Sequence, residues 1–570
     1  MKRYIAAAVL LTIIGLGFRL FIALHWPSDE PDDGRLYARI AINILEHRSY
    51  SIETEEPYPP TFIRVPGYPL LLAGIYSLFG HENNRAVRVV QAVLDTITCW
   101  LIALLALAWS PHRTYKVRRR LLLIALALAV FCPFPAIYVG TILTETCTIL
   151  LATACALMGT FAIKTTNCAK SVGWFALAGL TGGLATLVRP DSGLFVAAVG
   201  FTVVLAGLVR LYRAMIRLGT ERPMSDALSG SPRQILGQTI LSGAVLTLGF
   251  AVALTPWAIR NARVFGVFQP ISPSQANMPG EFVPNGYIGW LRTWVDDAKY
   301  TELVEFPLDQ EQIHIENMPD FAFDSPAERE RVAELLERYN HPDSGADNGP
   351  PPAVAPVPEV KPPGQSPNPE KQSDATAPLD SDEDTAEEAG SPRDEADTPD
   401  EPEPKPPVEM TPEVDAGFAE LTRERIARNP TRYYVGVPLK RAASMWFDTH
   451  SQYYPFQGEL LPLSSLDTDL DQQYWLPLFA ILTLLYTGLG LIGAWLMWRD
   501  RPSRRWLLLL ALLIVPRLVV LARMENPEPR YVVEFFAFVV ALSGLATTSA
   551  YDLFRSKMRS LSADDADDAD

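Results

Sequence analysis

The chain has 570 residues, 48% of them hydrophobic, and a formal net charge of −16. That charge is local: residues 340–416 hold 20 acidic and 4 basic residues, an excess equal to the whole imbalance, so the remainder is near neutral. No basic face of the kind nucleic acid requires is left, and apolar residues gathered into long runs exclude an ordinary soluble protein.

The first run, Ile5–Leu24, is interrupted only by Arg19 and can cross roughly 30 Å of hydrocarbon. Met1-Lys2-Arg3 ahead of it would suit a secretory signal, but no small-x-small cleavage site precedes His25-Trp26, so an anchor is expected. Runs of the same kind follow at Val87–Trp109, Leu121–Val139, Ile142–Ile163, Trp174–Val188 and Leu194–Val209. Four more lie at Ile235–Leu254, Trp475–Trp498, Trp506–Val520 and Tyr531–Ala550. Within lipid a single segment satisfies its backbone polar groups only as a helix, so the expected fold is an all-α polytopic membrane protein of about ten transmembrane helices.

Lys and Arg in short loops set the orientation. Clusters occur at Lys2-Arg3, at Arg113 to Arg120, at Arg210 to Arg233, at Arg499 to Arg505 and at Arg555 to Arg559. Ten helices with a cytoplasmic N-terminus put every cluster, and the C-terminus, on the cytoplasmic side. The expected location is therefore the inner (plasma) membrane, with Trp26–Arg85 and Trp257–Tyr474 outside. Gly67–Phe79 is apolar but short, bounded by Pro66 and Gly80, which suits an interfacial or re-entrant helix better than a span.

This divides the chain into an N-terminal transmembrane module over 1–256, with a first outer loop at 25–85, and an extracytoplasmic segment over 257–340. A juxtamembrane segment over 417–474, C-terminal transmembrane helices over 475–554 and a cytoplasmic tail over 555–570 complete it. Between them, residues 341–416 form an acidic, proline-rich insertion with almost no aromatics. Such a stretch cannot bury enough apolar surface to offset ordering entropy, so disorder is expected. On its flanks Ser325–Tyr339 and Phe418–Phe447 have helical periodicity, the second ending basic and aromatic as an interfacial helix would. The outer segment is expected to be mixed or irregular in secondary structure. The cysteines, at 99, 132, 147, 155 and 168, have neither metal-ligand spacing nor a place in the hydrophilic segments, and are expected to pack.

Chemistry concentrates just after the first run. Arg35–Leu45 has apolar residues at helical spacing, with Asp32, Asp33 and Gly34 at its start. Carboxylates there can be ordinary helix caps. Capping does not account for the crowding of Asp29, Glu30, Asp32 and Asp33 beside the bilayer, whereas a general base tuned by its neighbours would. Ionisable residues at membrane depth are functional candidates. Glu145, Arg189, Asp191, Arg88, Asp95, Arg517, Arg523 and Arg530 all fall near the outer ends of helices, a level suited to an anionic head group, although each could also be a structural pair.

Several short motifs then follow in order. Asp33-x-x-x-Tyr37 and Arg64-x-Pro66-Gly67-Tyr68-Pro69 come first, then Thr144-Glu145 and Arg189-Pro190. Thr255-Pro256-Trp257-Ala258-Ile259-Arg260-Asn261, with Phe265-Gly266 behind it, and Glu528-Pro529-Arg530-Tyr531 complete the set. Their order resembles bacterial polyprenyl-phosphate-sugar-dependent membrane glycosyltransferases of the GT-C fold, related to protein O-mannosyltransferases and to the lipid A aminoarabinose transferase. The resemblance covers roughly 5–295 and 430–550 and leaves out the acidic insertion. It implies Asp33 as catalytic base, with Asp32 as runner-up, and Glu145 lining the acceptor or donor cavity. It also implies Arg64, Arg260 and Arg530 on the lipid-linked phosphate, and Tyr37, Tyr68, Arg189 and Tyr531 among the substrate-binding residues. For Arg260 and Arg530 the alternative is snorkelling at the interface.

By the same resemblance the partners are a polyprenyl-phosphate-linked sugar, a lipid, glycan or protein acceptor, and membrane lipids. No Gly-rich nucleotide loop is present, and no cofactor or metal is expected. Two other classes stay open. A flippase for lipid-linked sugars would share the helices and cations. A scaffold would recruit partners through the acidic insertion.

Overall fold

The computed structural model describes residues 2–26, 32–111, 114–218, 231–273, 276–342, 408–448 and 470–567. Asp29, Glu30, Arg113, Arg222 and most of the acidic insertion lie outside the described residues. The chain is an all-helical polytopic membrane protein. Helix α1 spans Lys2–His25, α2 Asp32–Glu46, α3 Gly67–Phe79 and α4 Asn84–Trp109. Helices α5 (Tyr115–Phe131) and α6 (Pro133–Ile137) are followed by α7 (Glu145–Lys164), α8 (Cys168–Val188), α9 (Gly193–Leu218) and α10 (Pro232–Phe265).

The outer segment contributes α11 (Asn285–Leu291), α12 (Ala298–Val304), α13 (Pro326–Asn340), α14 (Pro412–Arg428) and α15 (Val437–Phe447). Helices α16 (Leu470–Arg499), α17 (Arg504–Leu521) and α18 (Phe535–Asp567) close the chain.

Among the described residues, eight helices are long and apolar enough to cross a membrane, or nine if the bent pair of α5 and 133–140 is one span. The pair is bent by 46° where Pro133 and Pro135 follow Phe131, as proline requires. Contacts at its ends make it a single crossing. Arg118, early in α5, donates to the Leu107 carbonyl at the end of α4, 3.4 Å away. Arg88, early in α4, donates to the Gly140 carbonyl at the pair's far end, 3.0 Å away.

The expected span Trp506–Val520 forms α17, whose 18 residues carry Arg504, Arg505 and Arg517. It too runs the length of the bundle. At its start Trp506 lies 5.8 Å beneath the ammonium of Lys164, the last residue of α7. Near its other end Arg517 shares Asp191 and Glu534 with Arg189, which itself pairs with Glu145 at the opposite end of α7. Counted this way, the described helices traverse the bundle ten times.

Close packing fixes the helices beside the first outer loop. In α8, a β-carbon on Gly179 would lie 2.1 Å from the Leu246 carbonyl of α10, and one on Gly183 would lie 2.8 Å from that of Phe250. Small residues one turn apart thus let two backbones meet, as in membrane helix pairs generally. Helix α3 stays the short apolar element expected of Gly67–Phe79. Its first residue, Gly67, touches the end of α8, where a β-carbon would sit 2.6 Å from the Leu187 carbonyl.

Among its described residues the outer segment joins short helices through irregular stretches such as 276–284 and 305–314, with no strand. Tyr287, Trp290, Trp294, Phe418, Leu336 and Tyr339 form its core, joining α11, α13 and α14. The expected helix Phe418–Phe447 is broken at Asn429, non-helical ahead of Pro430, and becomes α14 and α15, the second entered through a π-turn at Arg432–Gly436. Helix α14 begins at Pro412, inside the stretch expected to be disordered, and buries Val414. Likewise α10 continues through Pro256 and Trp257, beyond the expected end of the N-terminal module. Buried Arg441 of α15 fastens this unit to the bundle, donating to Val295 O at 2.6 Å, Arg292 O at 3.1 Å and Ala522 O at 3.5 Å.

Candidate active site

Helix α2 has one face packed on α3 through Ala38, Ala41 and Ile44, and another on Tyr50, Phe62 and Trp257 through Ile40. Asn43 ties the loop behind it, donating to Ser51 O and Glu53 O, each at 2.9 Å. A helix held on two sides presents its first turn in a fixed direction. That turn separates the two expected carboxylates. Asp32 is 99% exposed and its one ion pair among the described residues is with Arg35, 3.5 Å away on the same helix. Asp33 turns inward to Arg64 at 3.2 Å and Arg530 at 3.3 Å, and remains 33% exposed.

Arg64 reaches Asp33 because the loop carrying it is pinned. The Tyr50 hydroxyl donates to the Arg64 carbonyl at 3.1 Å, and the Pro66-Gly67 turn rests on α8. Arg530 arrives from the other end of the chain, on the 3-10 turn Pro529–Val532 between α17 and α18. Glu528 holds its guanidinium from behind and accepts from Asn526 at 3.1 Å. Burial pushes the Asp33 carboxyl up, but Arg530 and Arg64 together outweigh that and hold it below the ordinary aspartate value. The Tyr37 hydroxyl, one turn along α2, is pushed up to about 12 by burial and by Asp33.

A second group of charges sits directly behind. Arg189, at the end of α8, reaches Glu145 at the start of α7 (3.3 Å), Asp191 (3.3 Å) and Glu534 (3.6 Å). Arg517 of α17 pairs with Asp191 at 2.7 Å and with Glu534, both Arg517 and Glu534 being fully buried. The Tyr531 ring joins the two groups, with the Arg189 guanidinium 4.7 Å and that of Arg530 5.3 Å from its centroid. Glu145 keeps one carboxylate oxygen buried without a hydrogen-bond partner among the described residues.

Of the expected site residues, Asp33, Arg64, Arg530, Tyr531, Arg189 and Glu145 are thus brought together, with Tyr37 one helical turn from Asp33. Tyr68 lies behind Tyr37, ring centroids 5.4 Å apart, fully buried and donating to Gln91 Oε1 at 2.8 Å. Arg260 is set apart. It donates to Thr61 O at 2.7 Å and Asn261 Oδ1 at 2.9 Å, with its guanidinium 4.9 Å from the Trp257 ring centroid. There it fixes the first outer loop to α10.

Asp95, at the same expected depth, is a structural pair with Arg19, 2.5 Å away. Glu528 and Glu534 were not singled out by sequence. Glu528 was legible as part of Glu528-Pro529-Arg530-Tyr531, whereas Glu534 lies inside an apolar run with only its charge as a signal. Among the described residues no three His, Cys, Asp or Glu side chains gather as a metal would require.

Residues 60–218, which hold Arg64, Tyr68, Glu145, Arg189 and α3 to α9, match the family described as Dolichyl-phosphate-mannose-protein mannosyltransferase. No curated protein matches. Among solved structures, the apo oligosaccharyltransferase of Archaeoglobus fulgidus aligns with 98% of this chain and 52% of its own, at 14% identity and TM-score 0.41. The chain therefore spans about half the length of that relative. Apo ArnT from Cupriavidus metallidurans aligns over 95% of this chain and 77% of its own, at 12% identity and TM-score 0.34. Over residues 60–218 the chain is thus similar to the dolichyl-phosphate-mannose-protein mannosyltransferase family, in keeping with the resemblance its motifs imply.

Proposed function

We propose that the protein is a membrane glycosyltransferase that moves a sugar from a polyprenyl-phosphate donor to a lipid, glycan or protein acceptor, with Asp33 as the catalytic base. The observation that carries this reading is the placing of one partly exposed carboxylate between Arg64 and Arg530, on loops from opposite ends of the sequence. Two guanidiniums on separate loops suit a phosphate, which both can grip with paired N–H donors. Glu145, Arg189, Tyr37, Tyr68 and Tyr531 would shape the cavity around the reacting groups, and Arg260 would hold the loop that carries Arg64.

While it bridges two arginines, Asp33 is a weak base. A donor phosphate that occupies Arg64 and Arg530 cancels their charge and returns basicity to Asp33. Its carboxylate then takes the proton of the acceptor hydroxyl or amine, and the acceptor atom forms its bond to the anomeric carbon. The bond from that carbon to the phosphate oxygen breaks, with its electron pair departing on polyprenyl phosphate, where the arginines stabilise the new charge. The basic residues at the far end of the bundle support an outward-facing site at the inner membrane, with both termini cytoplasmic.

The test is transfer in membranes supplied with polyprenyl-phosphate sugars. Asp33→Asn should lower turnover at least 100-fold, on the scale of a lost general base, while Asp32→Asn stays within about twofold. Equal turnover in wild type and Asp33→Asn would overturn the assignment. Lipid-sugar translocation without transfer, unaffected by Asp33→Asn, would favour a flippase instead.

A further inference from the structure

At the end of the bundle opposite Asp33, an open cavity of about 400 Å³ lies between α4, α5, α7 and α8. Its walls are apolar, formed by Leu104, Leu107, Phe161 and Trp174. Arg118 and Lys164 bring charge to it. Lys164 donates to the Ala108 carbonyl, a neutral partner. Among the described residues the charges that act on Lys164 are those of Arg118 and Arg505, and Arg505 in turn feels Arg210. Lys164 and Arg505 share one indole, lying 5.8 and 4.6 Å from the centroid of Trp506. Helices α5, α7, α9 and α17 therefore each bring a cation to one small region.

Like charges gathered at a helix-bundle end repel one another, and an anion relieves that repulsion. Apolar walls beside the cations would be of no use to a free inorganic ion, whereas they match the glycerol backbone and first methylenes of a lipid. Basic pockets between membrane helices are suited to anionic head groups for this reason. We propose that this cavity seats the phosphate of an anionic membrane phospholipid, with Lys164 and Arg118 at the head group and Leu107, Phe161 and Trp174 along the chains. The site is separate from the Asp33 region and serves to lock α4, α5, α7 and α8 together.

The full-length protein, purified in detergent and stripped of lipid, provides the test. Its thermal unfolding is followed during titration with phosphatidylglycerol, with phosphatidylcholine and with inorganic phosphate. Phosphatidylglycerol should raise the unfolding temperature, and the other two should leave it within error. Lys164→Gln should weaken the apparent phosphatidylglycerol affinity by roughly fivefold or more, the scale of one charge near a membrane surface. Thr165→Phe keeps every cation but fills the cavity, and should weaken it likewise. An equal shift with phosphatidylcholine, or an undiminished shift in both variants, would overturn the proposal. So would a full shift from inorganic phosphate alone, which would mark a simple anion site.

Discussion

A carboxylate and an arginine mean different things at different depths, and the residues around Asp33 divide on that basis. Asp33 keeps a third of its side chain open to solvent, whereas Glu534 and Arg517 are fully buried and serve the packing of α17 and α18 behind it. Glu305, just after α12, is a third case. Burial together with Glu525 and Glu528 raises its carboxyl from 4.5 to about 8, against the pull of Arg292 and Arg441. A carboxyl raised by folding contributes stability that is complete below the unfolded value and is lost as pH rises through the folded one. Thermal unfolding of the wild type should therefore fall as pH increases from about 4.5 to above about 8. Glu305→Gln should flatten that dependence, and an unchanged pH profile would refute the buried-acid reading. None of this was legible in the sequence, since the three glutamates are as much as 223 residues apart.

At the scale of elements, the first outer loop is held by contacts between backbones. Gly67 meets the end of α8 without room for a methyl group, and this contact sets Arg64 beside the residues that follow α8. The neighbour is a main-chain carbonyl, which cannot rotate aside. Gly67→Ala should cost about 1–3 kcal/mol of stability, the range for overpacking, and should reduce transfer together with it. Unfolding of the detergent-solubilised variant measures the first and the membrane assay the second. Helices α2, α3 and α13 were readable from periodicity and from caps such as Ser325 before Pro326. The break between α14 and α15 falls at Asn429, whose backbone is non-helical ahead of Pro430; the stop signal was present in the sequence, but the apolar repeat on both sides of it reads as one helix.

Across the whole molecule, the buried charges tie together helices remote in sequence. Arg517 pairs with Asp191 and Glu534, so α17, the start of α9 and the start of α18 meet at one point. Removing one partner of such a group leaves uncompensated charge out of water. Arg517→Met should cost on the order of 3–5 kcal/mol, and adding Glu534→Gln should recover part of that. A double-mutant cycle on unfolding checks the coupling, with additive effects excluding it. The ten traverses follow from the same kind of contact, since α17 is tied at one end to Lys164 and at the other to the Arg189 group.

The sequence by itself determined that the chain crosses a membrane repeatedly, where its helices run, and that acidic and basic residues collect beside the first outer loop. These properties are local: a run of apolar residues, a short-range period and a Pro/Gly break act over one or a few turns. Tertiary structure alone decided that Asp33, not Asp32, faces two arginines, because two adjacent residues on a helix point about 100° apart and only packing says which direction is inward. It also decided that Arg530 stands beside Asp33 while Arg260 braces the loop. Partners separated by 497 residues meet through the closure of the bundle, and no pattern short enough to read along the chain records that distance.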